Sequence, residues 1–176
     1  MDKKKLDKLL TWAATGLLGI LLLKEFILFL VLVVLSAALQ TWCYSREIKL
    51  SFGQVFFLSI LMSRLEGAGG AVLFILAGGM LPEIMTGNLE AKTVIAYPLM
   101  AGFATFAAYV PGLDIVIVGI LLSLIYHALL YIISGAVGES LPEKILEVIL
   151  PLLMNLIYFT SFSRDLLTLF TGFKLV

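Results

Sequence analysis

Residues 115–137, IVIVGILLSLIYHALLYIISGAV, contain no aspartate, glutamate, lysine or arginine. Residues 94–110 share this property, and residues 145–159 carry one charged side chain, that of Glu147. A helix needs roughly 20 apolar residues to cross a hydrocarbon layer about 30 Å thick. In lipid, a helix satisfies its own backbone hydrogen bonds. These stretches therefore predict membrane-spanning helices.

The composition of the whole chain predicts the same fold class. Hydrophobic residues make up 61% of the 176 residues, which leaves too little polar surface to cover a soluble globule. We expect an all-α integral membrane protein in which residues 1–176 form one helical-bundle domain. The bundle has six transmembrane helices, or five if the first apolar segment lies in the interface.

Charge and cysteine content exclude several kinds of site. The 12 basic and 12 acidic residues balance, so the sequence predicts no nucleic-acid partner. Because Cys43 is the only cysteine, the chain can form neither an internal disulfide nor a cysteine-based zinc site.

The N-terminal half contains two apolar blocks that are each longer than one span requires. Residues 9–43 are interrupted only by Lys24 and Glu25, which predicts two short helices that meet at this pair. Residues 52–81 form either one kinked helix or an interfacial piece followed by a short span. Charged residues and glycines break this second block: Arg64, Glu66, Gly67, Gly69 and Gly70.

The C-terminal half has clearer helix boundaries. We expect Asn88 to cap the fourth helix, and residues 115–137 to form the fifth. Ser140 and Glu143 have the spacing of a capping box, which predicts a last helix that continues to about Leu169.

Positive residues predict the orientation in the membrane, because short cytoplasmic loops are enriched in lysine and arginine. We expect six spans with both termini in the cytoplasm, which places two sets of charges on opposite sides of the membrane. We also expect that this membrane is the cell membrane. The predicted cytoplasmic set is Lys3, Lys4, Lys5, Lys8, Arg46, Lys49, Arg164 and Lys174. The predicted opposite set includes Glu83, Glu90, Glu139, Glu143 and Glu147.

Polar residues within the spans are the first candidates for a site, since each costs free energy in lipid unless it faces the bundle interior. Ser123, Tyr126 and His127 share a face of the fifth helix, and Asn155 and Tyr158 lie on a comparable stripe of the sixth. If the stripes face each other, they form a polar seam for a solute. Alternatively they form interhelical hydrogen bonds, which are worth about 0.6 kcal/mol on average.

Catalytic and cofactor motifs are missing from the sequence. It has no HExxH, no Walker loop and no nucleophile elbow. His127 is the only histidine, and no second ligand accompanies it on its helix. We therefore expect no enzymatic activity, no cofactor and no metal site.

The C-terminal half resembles the Yip family of multispan membrane proteins, which is related to Rab-interacting trafficking factors. The matching segments are residues 91–92 (AK), 96–97 (AY), 110–113 (VPGL), 121–126 (LLSLIY) and 141–144 (LPEK). The resemblance implies a non-enzymatic protein that binds partner proteins or organises the membrane.

A second resemblance covers residues 78–97. Gly78, Gly79, Glu83 and Gly87 are similar to a glycine and acid pattern in the rod-shape protein MreD and in the substrate-binding components of energy-coupling-factor vitamin transporters. This resemblance implies about six spans and the capture of a small solute.

Three functions follow as hypotheses. The first is Yip-like binding of a membrane-protein partner or of a second copy through the loop at residues 44–51. The second is a solute-binding transporter subunit that uses the polar seam, with residues 83–90 as a lid. The third is a structural subunit of a larger membrane complex. In all three the lipid bilayer surrounds the bundle.

Overall fold

The computed structural model describes residues 26–45 and 52–175, the last three of these for their backbone alone. The described residues form helices and connections without a strand, which confirms the predicted all-α membrane bundle. The helices are α1 Phe26–Ser45, α2 Gln54–Leu65, α3 Gly67–Thr86, α4 Ala91–Tyr109, α5 Ile115–Ala136, α6 Leu141–Ser161 and α7 Ser163–Leu175.

Five of these helices, α1 and α3 to α6, are long and apolar enough to cross a membrane. The predicted first helix of the block at residues 9–43 lies outside the described residues. The second helix of that block is α1. In the described part, the predicted number of spans is therefore the number that the structure has. Helix α2 is an additional, shorter helix.

Helix α2 is too short to cross a bilayer by itself. Its 12 residues measure about 18 Å, against a hydrocarbon thickness of about 30 Å. It begins beside Pro151 and Asn155, halfway along α6, because Gly53 approaches both residues closely. It ends where Arg64 donates hydrogen bonds to the carbonyls of Val110 and Leu113. Helix α2 therefore occupies one half of the bundle.

For residues 52–81 the sequence leaves two alternatives, one kinked helix or an interfacial piece followed by a short span. The structure has a short helix, α2, followed by the longer α3, and α2 lies inside the bundle. Eight residues of α2 are buried, and Phe56, Ile60 and Leu61 are almost completely inaccessible. Most residues of α2 are apolar because other helices surround them. The predicted break at Glu66 is confirmed, since α3 starts at Gly67, which has a φ of 74°.

Two predicted helix ends in the C-terminal half also need correction. Glu90, not Asn88, caps α4, through a reciprocal capping box with Thr93. The Asn88 side chain instead donates to the carbonyl of Thr86. The last predicted helix is divided at Phe162 into α6 and α7.

Other helix boundaries follow the prediction closely. The capping box of Ser140 and Glu143 is present at the start of α6. Helix α5 ends within one residue of its predicted end and is capped at its start by Asp114, whose carboxylate accepts from the Val116 N–H. The Val116 N–H and the Arg164 guanidinium hold the pKa of this exposed carboxyl below its usual range.

The predicted distribution of charges does not hold at the end of α1. Tyr44 donates a hydrogen bond of 2.5 Å to Glu83, so α1 ends on the same side of the bundle as the acidic residues. Arg46 and Lys49 were predicted on the opposite side, and they lie outside the described residues. We call the end of the bundle that holds Glu83, Glu90, Glu139 and Glu147 the acidic end.

Helices α5 and α6 pack closely in the interior. The ring of Phe159 lies directly over Gly119, where a Cβ atom would overlap it. Phe57 contacts the same ring edge-on, with centroids 5.0 Å apart. This contact joins α2, α5 and α6 in the half of the bundle beyond the acidic end.

Candidate functional site

A cavity of about 140 Å³ lies inside the bundle and reaches toward the acidic end. Its deepest residues, Met100 and Tyr126, are in the middle of α4 and α5, and the exposed Asn88 lies at its outer margin. The polar or charged lining residues are Gln40, Tyr44, Glu83, Asn88, Glu90, Lys92, Thr93, Tyr97, Tyr126, His127, Ser134 and Glu147. The cavity therefore places polar and charged side chains among apolar ones, within helices that are apolar on the outside.

Glu83 is the most deeply buried acidic residue of the cavity wall. Its exposed fraction is 3%, and Oε1 accepts the hydrogen bond from Tyr44. The hydroxyl groups of Tyr97 and Thr93 also face this carboxylate. Its second oxygen, Oε2, is buried and has no hydrogen-bond partner among the described residues. A buried polar atom without a partner costs about 1–3 kcal/mol.

A local change in helix geometry positions Glu83. Residues Ile75–Met80 of α3 form a π-helical segment, and Pro82 follows it directly. Because Pro82 has no N–H, the carbonyl of Gly78 lacks its usual helical partner. Ser36 on α1 donates to this carbonyl at 3.1 Å. The amide nitrogen of Gln40, when turned toward α3, reaches the same oxygen at 3.0 Å.

This arrangement brings α1 and α3 close together. Gly78 lies against Ser36, and a Cβ at Gly79 would lie 2.9 Å from a methyl carbon of Val55 and 3.0 Å from the Tyr97 ring. Gly79 therefore allows α3 to lie close to α2 and α4. Segments of π-helix occur frequently at functional sites.

Aromatic rings form the inner wall. The rings of Phe56 and Tyr126 stack with centroids 4.7 Å apart, and Phe103 meets Tyr126 edge-on. Tyr97 is buried and lies beside the Glu83 carboxylate. The cavity lining thus combines a buried carboxyl group that has one unpaired oxygen with several aromatic residues.

His127 adds a further polar group at the inner wall. Its exposed fraction is 3%, and its Nδ1 lies 2.8 Å from the carbonyl oxygen of Ser123. A carbonyl only accepts, so Nδ1 carries the proton in this hydrogen bond. In the neutral ring, Nε2 is then an acceptor.

A charged cluster lies at the outer part of the cavity. The Lys92 ammonium group contacts the carboxylates of Glu90 at 3.1 Å and Glu139 at 2.5 Å, and it also bonds to Glu147. The three carboxylates have oxygens within 4.8 Å of one another, a spacing that a metal ion could bridge. The Lys92 ammonium lies among them, so this cluster already contains its own cation.

The structure separates the five residues of the predicted polar seam. Tyr126 and His127 line the cavity. Ser123 is buried behind them and gives its carbonyl to His127. Asn155 is fully buried beside Gly53, and its side-chain amide has no partner among the described residues. Tyr158 packs on Phe57, with centroids 5.3 Å apart.

Sequence reasoning did not place several of the cavity residues at a binding site within the helices. Glu83 was predicted as part of a lid between helices, whereas it lies on α3. The sequence predicts Glu147 only as one of the charges on the side opposite the cytoplasm, and Lys92 only as part of the segment that resembles the Yip family. The available signal was that Glu147 interrupts an apolar helix, and an ionisable residue within a span is a candidate for function.

Comparison of the chain with protein-family models, with curated proteins and with solved structures finds no match.

Proposed function

We propose that this polytopic membrane protein binds a small solute in the cavity between α1, α3, α4, α5 and α6. The supporting observation is Glu83, a buried acid of the cavity wall whose Oε2 atom has no hydrogen-bond partner in the described structure. Buried polar atoms are satisfied in the great majority of cases, and an exception calls for a ligand, a water or an ion. A solute with a donor group that reaches this oxygen through a small shift of the Glu83 side chain would satisfy it.

The size of the cavity limits the solute. A volume of about 140 Å³ is close to that of an engineered cavity of about 150 Å³ that binds benzene. The expected solute therefore has about six non-hydrogen atoms.

The depth of the cavity favours a binding component over an open channel. Beyond Phe56 and Tyr126, the bundle is filled by side chains of α2 that are almost completely buried, namely Ile60, Leu61 and Met62. A solute can therefore reach the cavity from the acidic end but meets a packed core halfway across. This arrangement is compatible with the solute-binding transporter subunit that was one of the sequence-based hypotheses.

Filling the cavity tests this proposal. Ala96 is a buried residue of the cavity wall, so Ala96→Phe should displace the solute, whereas Ala91→Phe adds the same ring to an exposed position of α4. Each protein in lipid nanodiscs is incubated with a water-soluble metabolite extract and washed. The solutes that denaturation releases are then identified by mass spectrometry.

We expect the unmodified protein and Ala91→Phe to retain a small solute that Ala96→Phe does not. Equal retention, or equal absence of retention, in all three proteins would refute the proposal. Unchanged size-exclusion profiles and melting temperatures provide the check on folding.

Partner binding, which the Yip resemblance implies, stays a prediction, as do membership of a larger complex and the absence of enzymatic activity. The loop proposed for partner binding, residues 44–51, lies largely outside the described residues. The cell-membrane location and the cytoplasmic position of both termini are likewise predictions.

A further inference from the structure

We infer that the solute is a small primary amine in its cationic form, bound with its ammonium group on Glu83. This inference rests on the proposed function and specifies the class of solute. Its basis is a buried carboxyl group that has no cationic partner among the described residues, an excess of acceptor atoms, and aromatic residues, all in one cavity.

The charges of the lining favour a cation. Glu83, Glu90 and Glu147 line the cavity, whereas Lys92 is its one basic residue among those that the structure describes. The ammonium group of Lys92 forms its ion pairs with Glu90, Glu139 and Glu147. No ion pair within the described chain gives Glu83 a cationic partner. An anionic solute would place a second negative charge beside this carboxylate.

The hydrogen-bonding groups favour a solute with N–H donors. Oε2 of Glu83 can only accept when the carboxylate is ionised, and Nε2 of His127 accepts in the tautomer described above. A primary ammonium group offers three donors and no acceptor. It can therefore satisfy Oε2, which a quaternary ammonium group cannot do.

The aromatic rings favour an organic cation over a metal ion. Tyr97, Phe56 and Tyr126 line the cavity, and a cation within about 6 Å of the face of such a ring is attracted to it. Calcium instead prefers six to eight oxygen ligands, and magnesium an octahedral set. The inner cavity offers one carboxylate and several rings, which suits an ammonium group attached to a short apolar chain.

Three matched probes test the class of solute: n-butylamine, n-butanol and butyrate. All three have a similar size and differ in charge and donor capacity. The melting temperature of the protein in nanodiscs is measured with each probe at constant ionic strength. A ligand at a hundredfold excess over its Kd should raise the melting temperature by about 5 °C or more. We expect this rise with n-butylamine alone.

Variants connect the effect to Glu83. Glu83→Gln keeps an acceptor for Tyr44 but removes the charge, so the rise should disappear. Glu83→Asp keeps the charge on a shorter side chain and should retain part of it. Asp165→Asn removes a carboxylate from an exposed position on α7, outside the cavity, and should leave the rise unchanged.

The outcomes separate this inference from the proposed function. A rise with butanol or butyrate but not with butylamine would overturn the amine assignment and leave solute binding intact. An equal rise with tetramethylammonium chloride would show charge recognition without N–H donation and would also overturn it. Retention of the butylamine effect in Glu83→Gln would remove Glu83 from the site. If no probe acts and Ala96→Phe also releases the same solutes as the unmodified protein, the proposed function itself fails.

Discussion

Glu83 and Lys92 solve the problem of a buried charge in different ways. Lys92 is surrounded by three carboxylates, so its charge is compensated within the protein. Glu83 receives hydroxyl groups instead of a cation, and one of its oxygens stays without a partner in the described structure. Taking an ion out of water costs several kcal/mol unless other groups compensate it. Because Lys92 is already compensated and Glu83 is not, we propose Glu83, and not Lys92, as the group that binds the solute.

Gly53 illustrates how one residue positions an element. It precedes α2 with a φ of 69°, and a Cβ there would lie 2.7 Å from the carbonyl oxygen of Pro151 and 2.9 Å from Nδ2 of Asn155. The start of α2 can therefore approach the middle of α6 only because position 53 has no side chain.

Substitution of Gly53 by alanine should destabilise the protein for two reasons. The left-handed conformation costs about 1–2 kcal/mol for a residue with a side chain, and the clash with α6 adds about 1–3 kcal/mol. Gly87 is the matched control, since its φ is 70° but nothing lies within 4 Å of a Cβ there. Thermal unfolding in nanodiscs should show a larger loss for Gly53→Ala than for Gly87→Ala. Equal losses would mean that the contact with α6 is not close.

At the scale of elements, the sequence predicts whole helices well where local signals are strong. Residues 115–137 match α5 because a long uncharged run ends in a loop on each side, and Ser140 with Glu143 forms the expected cap. These features depend on neighbours a few residues apart.

Other elements depend on contacts that no local pattern specifies. Helix α2 is as apolar as a membrane span, and only its burial by distant helices shows that it is a half-length core element. Likewise, the π-helical segment of α3 contacts α1, where Ser36 donates to the Gly78 carbonyl and the Gln40 amide nitrogen, when turned toward α3, reaches the same oxygen. The hydrogen bond between Ser36 and Gly78 joins residues 42 positions apart.

The packing of α5 on α6 gives a testable consequence at this scale. Gly119→Ala should overlap the Phe159 ring and cost about 1–3 kcal/mol. Phe159→Leu should be destabilising alone, yet the double variant should be more stable than the sum of the two effects predicts, because the smaller side chain accommodates the new methyl group. Gly102→Ala, on α4 with open space around it, should not destabilise the protein. Thermal unfolding of the four variants measures this coupling, and strict additivity would contradict the described contact.

At the scale of the whole molecule, the site is a product of tertiary structure. The sequence identified Tyr126 and His127 as polar residues within a span, and both line the cavity. The sequence could not show that Tyr44, Glu83 and Lys92, which lie on three different helices, meet at the acidic end of the bundle. The contacts of Lys92 join residues 47 and 55 positions apart. The sequence also predicted the end of α1 on the side opposite the acidic residues, whereas Tyr44 contacts Glu83. This difference has the same origin, because the charges of a loop do not show which helix ends lie together.

The central claim is that a water-accessible cavity lies inside this membrane bundle, and cysteine labelling tests it most directly. In a Cys43→Ser background, Ala96→Cys places a thiol on the cavity wall, and Ile95→Cys places one on the neighbouring, outward-facing surface of α4. Both proteins in nanodiscs are treated with 2-aminoethyl methanethiosulfonate, and the labelled fraction is read from the intact mass. We predict rapid labelling at position 96 and little labelling at position 95, because a thiol in contact with lipid does not ionise. Labelling at position 95 but not at position 96 would contradict the account.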